Sequence, residues 1–169
     1  SYGNYYTAAN FNAEVYKWIG YTRIWDRGTG KGDIQPCPGY TKCGNGSNVG
    51  AFRILALGAE KLSAEGDAVT LTFKATPWSE VTTGAGYTMD NKLVDVYVND
   101  AVVAADVRIT DSDAADGDPA VLTDMVWKEV VVEIPNLKPE DTITIMGKTN
   151  EAKAGKGRFF IDDVSIVKK

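Results

Sequence analysis

The sequence predicts an all-β domain, an antiparallel β-sandwich of jelly-roll type. Apolar residues recur at every second position in six segments after residue 50, the period of a strand with one buried face. Compact turn signals separate these segments, and no helical apolar period of comparable length competes with them. The connections are too short for βαβ crossovers, which need a dozen or more residues.

The first segment places Val69, Leu71, Phe73 and Ala75 on one face and Thr70, Thr72 and Lys74 on the other. Val94, Val96 and Val98 alternate with Leu93, Asp95 and Tyr97. Val103, Ala105, Val107 and Ile109 alternate with Asp106 and Arg108. Val130, Val132 and Ile134 alternate with Glu129, Val131 and Glu133, and Ile143 and Ile145 with Thr142, Thr144 and Met146. In the last segment Phe160, Val164 and Ile166 share a parity with Asp162. Residues 64–67, 98–101 and 136–139 carry turn chemistry. Residues 12–18 read as a short helix.

A length of 169 residues fits one domain. We expect a single module over 1–169, with 1–32 an irregular N-terminal segment rich in glycine and aromatics. A hydrophobic share of 44% with 24% charged residues is globular rather than disordered composition. No apolar run approaches the roughly 20 residues of a membrane span, and no signal peptide opens the chain. The net charge of −5 weighs against nucleic acid and anionic membrane as partners. Histidine is absent, which removes Ser-His-Asp and Cys-His catalysis and most zinc sites built from His. Acid–base chemistry would have to come from carboxylates, lysine or tyrosine.

Cys37 and Cys43 leave two arrangements open. A tight turn at Pro38-Gly39 would bring them within bridging reach, as in an exported protein. An extended run would hold them apart as two small apolar side chains.

The parity of Asp162 predicts an inward carboxylate, which is costly unless satisfied. It is either hydrogen-bonded or paired to Arg or Lys, or it is a Ca²⁺ ligand alongside loop carbonyls. Asp111, Asp113, Asp116 and Asp118 form an acidic run. Ala115 and Leu122 occupy ligand positions of an EF-hand loop, so the run is expected to be a solvated hairpin loop.

The first 30 residues carry Tyr2, Tyr5, Tyr6, Phe11, Tyr16, Trp18, Tyr21 and Trp25, and Tyr21-Thr22-Arg23-Ile24-Trp25-Asp26-Arg27 sets aromatic and polar groups in one stretch. A pyranose ring exposes an apolar face that stacks on Trp or Tyr, and its hydroxyls need nearby polar groups. Residues 78–91 are expected as a long loop holding Trp78 and Tyr87, of a length that is often functional. Trp127 is expected to pack structurally. The candidate ligand-binding residues are therefore Tyr21, Arg23, Trp25, Trp78 and Tyr87, with Asp90 and Lys92 as polar partners. No catalytic residue is assigned. Glu14, Asp26, Glu80 and Asp90 are carboxylates of the type glycoside hydrolysis requires, and linear spacing does not show whether two of them stand across a cleft.

The segment Gly157-Arg158-Phe159-Phe160-Ile161-Asp162-Asp163-Val164-Ser165-Ile166 resembles the last strand of galactose-binding-like jelly rolls and carbohydrate-binding modules. Asp33-Ile34-Gln35, Pro38 to Lys42, Gly44 and Val49 to Leu57 are similar to such domains in surface glycan-use proteins of gut bacteria. Val69 to Ala75 and the valines after Trp127 fit the same layout, so the resemblance covers residues 33–169. Cys43 departs from the Leu or Val usual at its position, and the first 30 residues match nothing in the pattern. The resemblance implies a structural Ca²⁺ near Asp162. It also implies an extracellular or periplasmic setting within a larger multidomain bacterial surface protein.

The function expected is non-catalytic binding of a polysaccharide or oligosaccharide by ring stacking and hydroxyl hydrogen bonds. The rivals are a structural or adhesion module with no small ligand, and a small β-sandwich glycoside hydrolase or lyase.

Overall fold

The computed structural model describes residues 34–37, 40–44, 49–82, 86–123, 126–149 and 157–169. Their elements in chain order are β1 (Ile34–Cys37), β2 (Tyr40–Cys43), β3 (Ala51–Ile54), β4 (Asp67–Pro77), β5 (Ser79–Thr82) and β6 (Gly86–Met89). There follow β7 (Leu93–Val98), β8 (Ala101–Arg108), α1 (Ala120–Thr123), β9 (Lys128–Leu137), β10 (Ile143–Gly147) and β11 (Phe159–Lys168). One sheet has the order β1-β2-β11-β4-β9 and the other β3-β10-β7-β8, while β5 and β6 pair with each other. The pairings are antiparallel. The chain crosses repeatedly from one sheet to the other, as in a jelly-roll sandwich.

The core lies between the two larger sheets. Val69, Leu71, Phe73, Ala75, Val130, Val132 and Ile134 enter it from one side, and Phe52, Val94, Val96, Ile143 and Ile145 from the other. The period-two alternation of β4, β7, β9 and β10 thus describes their inward faces. Each large aliphatic or aromatic side chain buried there contributes roughly 1.5–3 kcal/mol. The turn at 98–101 is held by its neighbour: Thr142 donates its backbone N–H to the Asn99 side-chain oxygen at 3.0 Å, and the Asn99 amide donates to Asp141 at 2.8 Å.

Strands β11 and β8 depart from a single parity, and β9 does so at its end, where Ile134 and Leu137 are both buried across a register shift. In β11, Asp162 lies opposite Lys74 but Ser165 lies opposite Thr72, so Asp163 and Val164 together face Phe73. This is a β-bulge, and Asp163 takes φ 49° within it. Before the bulge, Phe159 and Ile161 point into the core; after it, Val164 and Ile166 do. Asp162 therefore does not point inward as its parity predicted. It lies half-exposed on the outer face, opposite Lys74. In β8 the expected inward row of Val103, Ala105 and Val107 is broken in the same way. Register shifts against β7 and φ 55° at Asp106 leave Ala104 and Val107 against the core and Val103 and Ala105 exposed.

The region expected as a long loop, residues 78–91, is mainly the β5–β6 hairpin, with Ser79 opposite Met89 and Thr82 opposite Gly86. Each strand has four residues, too few for a period to stand out from a polar loop. Similarly, β1 and β2 form a hairpin in which Cys37 lies opposite Tyr40 and Cys43 opposite Ile34. The cysteines sit three register steps apart, roughly 10 Å along the strands and beyond bridging reach. Cys43 is a free, buried thiol.

At one end of the sandwich the backbones meet closely. The Gly50 N–H donates to the Gly157 carbonyl at 2.9 Å, and the Gly147 N–H to the Gly50 carbonyl at 2.8 Å. A Cβ on Gly147 would lie 2.0 Å from the Gly157 oxygen, so only glycine permits this approach. The functional candidates among the described residues gather at this end.

Candidate functional site

The site begins where β4 ends. The Trp78 N–H donates to the Arg158 carbonyl at 3.1 Å, and the Asp90 N–H to the Trp78 carbonyl at 2.8 Å. These bonds stitch both feet of the β5–β6 hairpin to the start of β11.

Arg158 locks the stitch. Its Nε donates to Asp90 Oδ2 at 2.7 Å and its Nη2 to Asp90 Oδ1 at 2.9 Å, while its backbone N–H donates to Asp90 Oδ2 at 2.9 Å. Its Nη2 and Nη1 also reach Glu80 Oε1 at 2.8 Å and Oε2 at 3.3 Å. The side chains of Arg158 and Asp90 are only 6% and 2% exposed. Burial works against the guanidinium charge, but hydrogen bonds to Asp90 and Glu80 more than offset it and hold the pKa above its usual range. Asp90 is thus the buried counter-ion of Arg158, with both carboxylate oxygens engaged.

Trp78 belongs to the same cluster. Its indole N–H donates to Glu80 at 3.0 Å. The Lys42 ammonium lies 3.9 Å from the ring centroid and the Arg158 guanidinium carbon 5.1 Å, a cation–π arrangement. Phe160 packs at 5.4 Å, and Tyr40 and Trp127 complete the group against Phe160 at 5.3 and 6.4 Å. Trp78 is half-buried beneath cations and a phenyl ring and is not an open stacking platform. Trp127 packs structurally, as expected.

Beside the hairpin lies an open cleft of about 540 Å³, lined by Met89 to Leu93, Arg108 and residues 113–116. One wall is the run from β6 into β7. The other is the acidic segment after β8, which leads to the opposite sheet and is no simple hairpin loop. Lys92 Nζ donates to the carbonyls of Ser112 and Ala114 at 2.9 and 2.8 Å. Arg108 Nε and Nη2 donate to the carbonyls of Thr110 and Ser112 at 2.7 and 3.0 Å, and Nη2 also pairs with Asp113. Burial, and then the neighbouring Arg108 charge, push the Lys92 pKa below its usual range. The Arg108 hydrogen bond lowers that of Asp113.

The hairpin joins the two walls. The Met89 N–H donates to Asp116 Oδ1 at 3.1 Å, and the Gly117 N–H to the Tyr87 carbonyl at 2.7 Å. The cleft is therefore cross-tied and open, with polar and apolar groups sharing its lining.

The structure brings Asp90 and Lys92 together in this cleft. Half-buried Tyr87 stands two residues before Met89 in β6 and is not among the residues that line the cleft. Tyr21, Arg23 and Trp25 lie outside the described residues, as does the helix expected at 12–18. Sequence reasoning missed Arg158, Arg108, Asp113 and Asp116 as site residues. For Arg158 a signal existed: a lone arginine opens the apolar run Phe159-Phe160-Ile161, where a buried cation needs a carboxylate partner.

Asp162, the residue expected near a calcium ion, lies on the outer face of β11. Its register partner is the cation Lys74, which is ion-paired to Asp163 at 2.8 Å. Among the described residues no group of three or more Cys, Asp or Glu converges as a metal site. A second hollow, of about 450 Å³, opens between β3 and the later half of β11. Much of its lining is apolar, including Phe52, Ile54, Leu57, Val164 and Ile166.

No family model and no curated protein matches the chain. Among solved structures it is similar to the structure of CBM35 from Paenibacillus barcinonensis, with a TM-score of 0.44 and 13% identity over 87% of this chain and 83% of that one. It is also similar to the crystal structure of the Agl-KA catalytic domain, with a TM-score of 0.39 and 20% identity over 76% of this chain. The match spans 21% of that second structure. The sandwich itself rests on the strand pairing described above.

Proposed function

We propose that this domain is a non-catalytic carbohydrate-binding module whose sugar seat is the cleft formed by Asn91, Lys92, Arg108, Asp113 and Asp116. The observation that carries the reading is the pre-ordered cleft. Sugar hydroxyls need donors and acceptors at fixed positions, and a site ordered before binding avoids much of the entropic cost of arranging them. Here the Asn91 side chain accepts from the Leu93 N–H at 3.1 Å. Asp113 turns one oxygen to Arg108 and is 90% exposed at the cleft rim.

Bond breaking is not part of the proposal. Asp90, the carboxylate on the cleft floor, has both oxygens on Arg158. Asp113 faces a cation rather than a second carboxylate set for acid–base work. The second hollow is less suited to a polyol because of its apolar lining. No helix among the described residues is long and apolar enough to cross a membrane. The setting we propose is outside the cell or in the periplasm, within a larger bacterial surface protein, where polysaccharides are met.

Affinity electrophoresis in gels containing xylan, galactomannan, mixed-linkage β-glucan or polygalacturonate tests the reading. At least one polysaccharide should retard the native chain, and the double variant Lys92→Met with Asp113→Ala should lose that retardation while remaining folded. Free migration through all four gels would overturn it, as would retardation unchanged in the double variant.

A further inference from the structure

We propose that Arg158 is a positioning residue that sets both walls of the cleft, although it is absent from the cleft lining. The inference rests on the reading of the cleft as a binding site and deepens it.

The bonds run outward from one guanidinium. Asp90 and Glu80 belong to the two feet of one hairpin: Glu80 lies in β5, and Asp90 follows β6. Arg158 grips both carboxylates through the planar donor set that only arginine offers. The grip on Asp90 holds the chain entering Asn91 and Lys92, which form the first wall. The grip on Glu80 holds the hairpin, whose Tyr87 carbonyl and Met89 N–H carry Gly117 and Asp116 of the second wall. Removing the guanidinium would release both walls together.

Stability alone is a weak explanation for this arrangement. A buried ion pair is often no more stabilising than apolar side chains packed in the same volume. What the guanidinium supplies here is geometry: both feet of one hairpin meet the start of a strand far along the chain at one rigid plane.

Backbone amide exchange, read residue by residue in the ligand-free chain, tests the proposal. In Arg158→Lys, whose single ammonium cannot hold both carboxylates in a bidentate fashion, the Met89 and Gly117 amides should exchange roughly tenfold faster or more. The core amides of Phe73 and Ile145 should accelerate by no more than the loss of global stability measured by urea unfolding accounts for. Unchanged rates at Met89 and Gly117 would overturn the proposal, as would acceleration shared equally by the core. If the lysine variant does not fold, Glu80→Gln carries the same readouts. It keeps an acceptor at one hairpin foot but gives up its charge.

The binding arm uses whichever of the four polysaccharides retards the native chain. Arg158→Lys should weaken that binding roughly tenfold or more. Leu137→Ala, a core truncation remote from the cleft, should lower stability and leave binding intact. Equal binding by the folded Arg158→Lys and native chains would overturn the positioning role. If the native chain binds none of the four, the sugar reading fails, while the exchange rates still decide whether Arg158 sets the walls.

Discussion

Asp163 and Lys74 face each other across β11 and β4, carboxylate to ammonium at 2.8 Å, and the aspartate backbone sits at φ 49°. That one left-handed residue is the bulge that reverses the parity of the last strand. Asp163→Gly and Asp163→Val both lose the ion pair, so the difference between them isolates the backbone. Valine at this φ is disfavoured by about 1–2 kcal/mol or more, whereas glycine is not. Urea unfolding should place the valine variant below the glycine variant by that margin; equal midpoints would count against a bulge at this position.

Asp90 is the counter-ion of a buried arginine. Asp90→Ala leaves the Arg158 charge with Glu80 alone, and breaking a buried pair in this way costs about 3–5 kcal/mol. Equilibrium denaturation should show a large drop in midpoint with the slope little changed. A loss within the range of an exposed surface pair would mean that water reaches the guanidinium.

The Cys43 thiol is 0% exposed, and burial pushes its pKa far above the usual thiol range. The reactive species is the thiolate. Iodoacetamide should therefore label Cys43 only in denaturant, as peptide mapping would show. Because Cys43 is free and far in register from Cys37, reductant should change neither the intact mass nor the melting temperature.

Asp67 accepts from the Ser63 N–H at 2.6 Å and pairs with Lys168 at 2.9 Å. The Ser63 bond first, and then Lys168, lower its pKa in the folded state. Its contribution to stability is complete above the unfolded carboxylate value of roughly 3.9 and is lost as pH falls through the lowered folded value. Asp67→Asn should melt below the native chain near neutral pH, and the gap should narrow as the medium is acidified through that window. A gap independent of pH would show that the ionised carboxylate is not the stabilising species.

Much of the sandwich was legible because strand alternation is a local property. Phe73 announces its burial through Leu71 and Ala75, two residues away on either side. The same logic failed at Asp162 and Val103, where a bulge shifts the phase. A bulge arises from how two strands pair, and neither strand carries that information alone. The hairpin of β5 and β6 was hidden for a different reason: strands of four residues are shorter than the pattern that would reveal them.

Asp90 and Lys92 line the proposed cleft, but the contacts they make there were not legible in the sequence. Both read as polar side chains offered to a ligand. Lys92 instead holds two carbonyls of the opposite wall, and Asp90 neutralises Arg158. Trp78 was expected to open a loop after Ala75, and its ring lies against Lys42, Arg158 and Phe160.

The amino-acid order by itself determined which residues are apolar at alternate positions, where the chain turns, and that histidine chemistry is absent. Tertiary structure alone decided which loops share an end and which charges meet there. The reason is distance: Arg158 and Asp90 lie 68 positions apart, and it takes the pairing of β11 with β4 together with the β5–β6 hairpin to bring them to one plane. Side-chain periodicity can tell inside from outside, but it carries no record of which outside faces which.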